Sequence, residues 1–241
     1  MPEDWERALC VVAHPDDMEY GASMAVAKWT SQGKEIAYVL ATAGEAGIDS
    51  IAPERAGTTR ELEERKSAAV VGVSSVTFLG HPDGTLEHGL PLRRDIAREI
   101  RRHRPEVIIS LTFRLTFGGG AANGGGGTLN QADHRNLGMA LIDAARDAGN
   151  RWIFEELTAE GFEPWSGARL IAFAGSPCPT HAVEVSGFLD EGIASLQAHK
   201  TYLDNLGDGG FDPGAFIAQQ AKAGGKRIGV PHALTFEVFS L

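Results

Sequence analysis

Apolar residues in this chain gather into short, branched-rich runs separated by longer stretches in which they recur every three or four positions. Continuous apolar runs of this length read as buried strands, and the longer spacing reads as amphipathic helix. The runs predict strands at 8–13, 36–42, 75–79, 107–111, 170–174, 182–185 and 234–239, and helices over 19–31, 59–71, 90–103, 134–148 and 189–205. Leu92, Ile96 and Ile100 repeat at intervals of four beside Arg and Glu, and Leu189, Ile193, Leu196 and Leu203 form a second stripe. Thr58 and Glu61 have the spacing of a capping box at the start of the second helix. Strand–helix alternation implies parallel strands joined by right-handed crossovers. The expected fold is therefore α/β, a mostly parallel sheet flanked by helices. No repeat or linker interrupts it, so residues 1–241 read as one domain.

Charge narrows the range of partners. The chain has 22 Lys+Arg against 32 Asp+Glu, a net charge of -10, and so lacks the basic surplus that nucleic-acid phosphates demand. The basic runs at 93–94 and 101–104 read as solvated helix faces. The acidic start, Met1 to Glu6, lacks the order of a signal peptide, and no apolar run approaches the ~20 residues of a membrane span. Cys10 and Cys178 make no disulfide framework, and Cys10 reads as a small core residue. The expectation is a cytoplasmic protein acting on a small molecule, without a nucleic-acid or membrane partner; a homo-oligomer stays open.

The candidate chemistry lies in Ala13-His14-Pro15-Asp16-Asp17, directly after the first strand. Open α/β sheets bind ligands at the carboxyl ends of their strands. A second imidazole is offered by Asp133-His134, which follows the glycine-rich run Gly118 to Gly127. Ordering so many glycines costs backbone entropy, so that run is expected to be mobile. Imidazole nitrogen and carboxylate oxygen suit a borderline divalent ion such as zinc, with a position left open for water. His14, Asp17 and His134 are the candidate ligands, and Asp16 beside them is the candidate general base. A second His-Pro-Asp, at His81 to Asp83 before Gly84, reads as a structural turn. A nucleotide-binding module is disfavoured, because His, Pro and acids stand where a phosphate loop needs glycines.

The first motif, with Glu19 and Gly21 soon after and Asp133-His134 beyond a glycine loop, resembles the LmbE-like or PIG-L family of zinc-dependent de-N-acetylases. Arg60-Glu61-x-x-Glu64 with Ala68-Ala69 and Gly72-Val73 resembles its second block, Phe78-Leu79-Gly80-x-x-Asp83-Gly84 its third, and the helix ending in His199 its last. The family includes deacetylases of mycothiol and bacillithiol synthesis, of glycopeptide-antibiotic pseudoaglycones and of N-acetylglucosaminyl-phosphatidylinositol. The resemblance implies a Rossmann-like α/β fold and one zinc ion per chain, held by His14, Asp17 and His134, with Asp16 as base. It also implies an N-acetylated sugar conjugate as substrate, and Arg60, Gln131, Asp133 and His199 are assigned to the substrate side. Two departures stand out. Gln131 occupies the place of the first His in the family's His-Pro-Asp-His and cannot deliver a proton near neutral pH. Lys200-Thr201-Tyr202 stands where the family often has Ser-Gln. The alternatives implied are a zinc-dependent hydratase of an unsaturated dicarboxylic acid, in which Arg60 holds a carboxylate, and a metal-binding member without deacetylase activity.

Overall fold

The computed structural model describes residues 1–118, 127–206 and 212–241. Its strands are β1 (Arg7–Val12), β2 (Glu35–Leu40), β3 (Ser75–Phe78), β4 (Val107–Leu111), β5 (Leu170–Ala174), β6 (His181–Glu184) and β7 (Ala233–Ser240). They form a single sheet in the order β3-β2-β1-β4-β5-β7-β6. The five strands from β3 to β5 are parallel, as their helical crossovers require. Sequence order reverses between β1 and β4, which opens a crevice at their carboxyl ends.

Side chains alternate across the sheet, because successive residues of a strand face opposite ways. Ala8, Cys10 and Val12 of β1 join one core, with Trp29, Ala68, Leu196 and Ile217. Leu9, Val11 and Ala13 join the other, with Ile96, Ile100, Leu137 and Leu141. Helices α1 (Asp17–Gly21), α2 (Ser23–Ser31), α3 (Pro53–Val70), α7 (Leu189–Gln197) and α9 (Pro213–Ile228) cover the first face. The second face carries α4 (Leu90–His103), α5 (Ala132–Asp147) and the short α6 (Glu155–Ala159).

Several expectations need correction. The predicted helix 19–31 breaks at Ala22, whose φ is -149°. Gly21 there passes so close to the sheet that a Cβ would lie 3.1 Å from Leu111 and 3.2 Å from Ala174. The second helix starts at Pro53, a residue suited to the first helical position. Thr58 thus sits inside the helix and bonds back to the Glu54 carbonyl at 2.9 Å, so it caps nothing. The predicted helix 189–205 divides into α7 and α8 (Lys200–Asp204), and the break turns His199 inward. The predicted mobility of the glycine run falls on residues 119–126, which lie outside the described residues.

Helix α9 escapes the periodicity reading because its adjacent Gly224 and Gly225 lower helix propensity. Those glycines serve packing: a Cβ on Gly224 would lie 2.0 Å from the Ala233 carbonyl oxygen. The chain reverses at Gly229, with φ of 76°, and enters β7 from the carboxyl end of β5 and β6. That reversal makes β7 antiparallel to both neighbours, where alternation alone implies parallel strands. It also leaves Ala233, Leu234 and Thr235 at the catalytic end of the sheet.

Gly224→Ala should destabilise the protein despite the ~1 kcal/mol by which alanine favours a helix over glycine. Backbone overlap of this kind costs about 1–3 kcal/mol, and helix and strand must also separate. Denaturant unfolding checks it, and a midpoint at or above that of the wild type contradicts the packing account.

Candidate metal centre and active site

Asp17 opens α1 immediately beyond β1, and its carboxylate is held by the turn itself. Its Oδ2 accepts from the backbone N–H of Ala13 (3.0 Å) and of His14 (2.9 Å), leaving Oδ1 to face His134 Nε2 at 2.9 Å. His134 stands in the first turn of α5 and donates from Nδ1 to Asn130 Oδ1 at 2.8 Å. Asn130 is anchored in turn by its amide donating to the carbonyls of Thr112 (2.6 Å) and Arg114 (3.0 Å) beyond β4. His14 presents Nε2 to Asp83 at 3.1 Å and to Asp133 at 3.3 Å. Asp133 is fixed by the backbone N–H groups of Gly84 (2.7 Å) and Leu86 (3.1 Å).

These partners assign the tautomers. Each imidazole spends one N–H on a neighbouring oxygen, so His14 Nδ1 and His134 Nε2 present lone pairs to each other at 3.1 Å. Adding Asp17 brings three ligand atoms within 4.8 Å of one another, all of them acceptors once a bound cation takes the place of any proton on His14. Ligands about 2.0–2.1 Å from a tetrahedral zinc ion lie about 3.3 Å apart. The donor set and its spacing therefore fit one divalent cation of that size. Burial opposes charge on His14, but the carboxylates of Asp133, Asp17 and Asp83 outweigh it and push its pKa up to about 12. Burial also opposes the Asp17 carboxylate, and His134 and His14 nevertheless hold it well below the usual range. Positive charge is thus strongly favoured at this point, whether carried by a proton or by a metal that displaces it.

Asp16 faces the same crevice. Its backbone is left-handed, with φ of 91° and ψ of -17°, a conformation costing a non-glycine residue roughly 1–2 kcal/mol. Burial pushes its carboxyl up to about 6, with Asp17 adding to the rise and Arg60 opposing it. Arg60 Nη2 lies 3.4 Å from Asp16 Oδ1, and the guanidinium stacks 4.4 Å from the centre of the Tyr202 ring. Burial, with the Asp16 carboxylate close by, pushes the Tyr202 hydroxyl well above its usual range. Behind Asp16 lies a second buried group, in which His199 Nε2 is 3.6 Å from Glu64 and 3.7 Å from Glu19. The Ser67 hydroxyl donates to Glu19 at 2.5 Å.

His14, Asp16, Asp17, His134, Arg60 and Gln131 all border one cavity of about 760 Å³. Its far wall comes from α9 and the start of β7, including Phe216, Gln219 and Arg227. Two residues assigned to the substrate side do not belong there. His199 is fully buried behind the carboxylates, because the α7–α8 break points it into the core. Asp133 is also buried, with its oxygens taken by His14, Gly84 and Leu86, and it orients His14 instead. The second His-Pro-Asp is a turn, with Gly84 at φ of 82°, but it also delivers Asp83 against His14. Asn130, Asp83 and Tyr202 are the site residues that sequence reasoning missed. Asn130 was signalled only by its place four residues before His134. A separate concavity of about 600 Å³, lined by Arg146, Trp152 and Leu241, has no His, Cys, Asp or Glu side chain on its wall.

Fold and site together define an α/β protein with a candidate mononuclear metal centre at the switch point of its sheet. The chain belongs to the PIG-L family, the GlcNAc-PI de-N-acetylases, whose pattern it matches over residues 9–145. Its relatives include named deacetylases. The diacetylchitobiose deacetylase of Thermococcus kodakarensis is 25% identical over 200 residues, covering 82% of this chain and 70% of that protein. A probable N-acetyl-alpha-D-glucosaminyl L-malate deacetylase of Bacillus anthracis is 30% identical over 109 residues, covering 42% of this chain and 48% of its own length. Among solved structures, N,N'-diacetylchitobiose deacetylase from Pyrococcus horikoshii superposes with a TM-score of 0.86 at 22% identity, over 98% of this chain and 85% of that one. The 4-carboxy-2-hydroxymuconate hydratase GalB of Pseudomonas putida shares the fold, with a TM-score of 0.75 at 17% identity over 97% and 95% of the two chains. No described helix is long and apolar enough to cross a membrane.

Because Asn130 fixes the His134 tautomer, Asn130→Ala should weaken divalent-metal affinity by about 10–100-fold, the usual effect of losing a hydrogen-bond partner of a ligand. Competition of zinc against a chromogenic chelator measures this. Unchanged affinity would remove Asn130 from the account of the site.

Proposed function

We propose that this chain, as one domain over residues 1–241, is a zinc-dependent amidohydrolase that removes an N-acyl group, chiefly acetyl, from an amino sugar or its conjugate. The observation carrying this reading is the acceptor-only group of His14, Asp17 and His134 beside the buried carboxylate of Asp16. A divalent ion held by those three residues would supply Lewis acidity, lowering the pKa of water and polarising an amide carbonyl.

The protein's own groups carry the rest. Asp16 accepts a proton from the attacking water at its carboxylate as the water oxygen bonds to the acyl carbon. Its position between Arg60 and Asp17 suits a carboxyl that must gain and lose a proton within one turnover. When the C–N bond breaks, the amine nitrogen needs a proton, and Asp16 returns the one it took. This removes the need for an acid at position 131, where Gln131 can offer only a hydrogen bond from its amide to the developing oxyanion. The products are a free amine and a carboxylic acid, acetate in the simplest case.

The hydratase alternative asked Arg60 to hold a substrate carboxylate. Its guanidinium donates to the carbonyls of Gly44 (2.9 Å) and Pro15 (2.6 Å) and is paired with Asp16, which leaves it poorly placed for that task. A cytoplasmic setting accords with Cys10 and Cys178 being unpaired thiols.

Asp16→Asn should lower turnover of N,N'-diacetylchitobiose or N-acetylglucosamine conjugates by at least about 10²–10⁴-fold, the span of general base catalysis. One zinc per chain should be retained. Acetate release and metal content are read together, and full activity in this variant would sink the scheme.

A further inference from the structure

Arg60 and Glu64 lie four residues apart on α3, one turn of the same face. Arg60 Nη2 donates to the Pro15 carbonyl at 2.6 Å, and Glu64 Oε2 accepts from the Asp16 N–H at 3.3 Å. These two groups, the carbonyl of Pro15 and the N–H of Asp16, belong to a single peptide unit. That unit precedes the one non-glycine residue of the described site whose backbone is held in the left-handed region, Asp16. We propose that Arg60 and Glu64 are positioning residues that clamp the Pro15–Asp16 peptide from both edges and so hold the Asp16 carboxylate in its working orientation.

Each half of the clamp is built in. The guanidinium is 3% exposed, bonds to Gly44, lies against the Tyr202 ring, and is closely enclosed by the 44–47 turn. A Cβ on Gly44 or Gly47 would come within 2.3 Å of Nη1. An arginine with two backbone carbonyls, one carboxylate and one ring as partners is fixed before any substrate arrives. Glu64 is 1% exposed, and His199 stands 3.6 Å from it. His199 therefore acts on the site through Glu64, as counter-ion to the Glu19 carboxylate beside it, and does not line the cavity.

Without the clamp, the Pro15–Asp16 peptide can rotate towards ordinary backbone angles, and Asp16 swings away from its target. The metal end is supported separately, since Asp17 is held by the N–H groups of Ala13 and His14. Loss of the clamp should therefore affect the base and leave the ligands in place.

The inference rests on reading Asp16 as the base, and the test keeps the two apart. Glu64→Met, Glu64→Gln, Arg60→Met and the double variant Arg60→Met/Glu64→Met are made in the full chain. Kinetics with N,N'-diacetylchitobiose, zinc content, and amide hydrogen exchange at Asp16 by NMR are measured on each. Burial and the Glu19 carboxylate push the Glu64 carboxyl well above its usual range, so its oxygen serves as a neutral acceptor. Glu64→Met should therefore speed Asp16 exchange by about fivefold, as expected for one lost neutral hydrogen bond. It should lower kcat by about 100-fold, the scale of a misplaced catalytic group, with KM changed less than about threefold and zinc retained. Glu64→Gln keeps an acceptor and should recover most of the loss on both readouts. The double variant should be little worse than either single variant, because both act on one peptide. Should Glu64→Met fail to fold, Gly47→Ala crowds the guanidinium without removing a buried charge, and its Asp16 exchange rate reports on the same clamp. Unchanged Asp16 exchange in these variants, or an Arg60→Met enzyme that loses KM alone, overturns the inference. Exchange at Asp16 does not depend on turnover, so failure of the deacetylase reading would show in Asp16→Asn kinetics and leave this readout standing.

Discussion

Two imidazole nitrogens and a carboxylate oxygen converge at the end of β1, and the surrounding hydrogen bonds hold them in that arrangement. Left alone, either ring could rotate or exchange tautomers. Asn130 denies this to His134, and Asp83 and Asp133 deny it to His14. The groups that do the denying come from two connections, Asp83 from the loop after β3 and Asn130 and Asp133 from the passage of β4 into α5. Only a parallel sheet brings all of these to one edge, because each crossover returns the next loop to the same side. The sheet is therefore the precondition for the metal centre as much as for the core.

Helix α3 supplies the second requirement. It places Arg60, Glu63 and Glu64 in the interior, three charged residues on a helix whose remaining surface is strongly polar. Ionised groups taken out of water are costly unless each finds partners. Here Arg60 meets two backbone carbonyls and Asp16, Glu63 accepts from the Thr201 N–H, and Glu64 meets Asp16 N–H beside His199. A cheaper apolar interior was available at these positions. What the charges provide in exchange is a defined orientation for the turn that holds Asp16.

Much of this was legible in the sequence. The apolar runs of β1, β4 and β5 are continuous and valine- or isoleucine-rich, so their buried, parallel character could be read directly. The convergence of His14, Asp17 and His134 was legible because the first two share one turn and the third begins a helix. Elements whose packing relies on glycine were not. Helix α9 buries Gly224 and Gly225 against a strand, a contact that no hydrophobic period reports. Nor could periodicity show that the stripe Leu189 to Leu203 bends at Ala198, which is what separates His199 from the cavity. The hydrogen bonds of Asp83 and Asn130 are tertiary facts, set by which loops meet at the sheet edge. Their residue types in turns suggest local backbone roles, and those roles hid their second purpose.

The far wall of the cavity has a different origin from its floor. Phe216, Gln219 and Arg227 reach it from the last helix, while the candidate ligands His14, Asp17 and His134 come from the first 134 residues. The candidate metal site and the wall that faces it thus come from separate stretches of the polypeptide, which meet across the cavity and where Phe216 packs edge-on against Tyr20. Such an arrangement lets one stretch diversify under pressure from new metabolites while the other stays fixed, a division of labour that lends itself to swapping tails between enzymes.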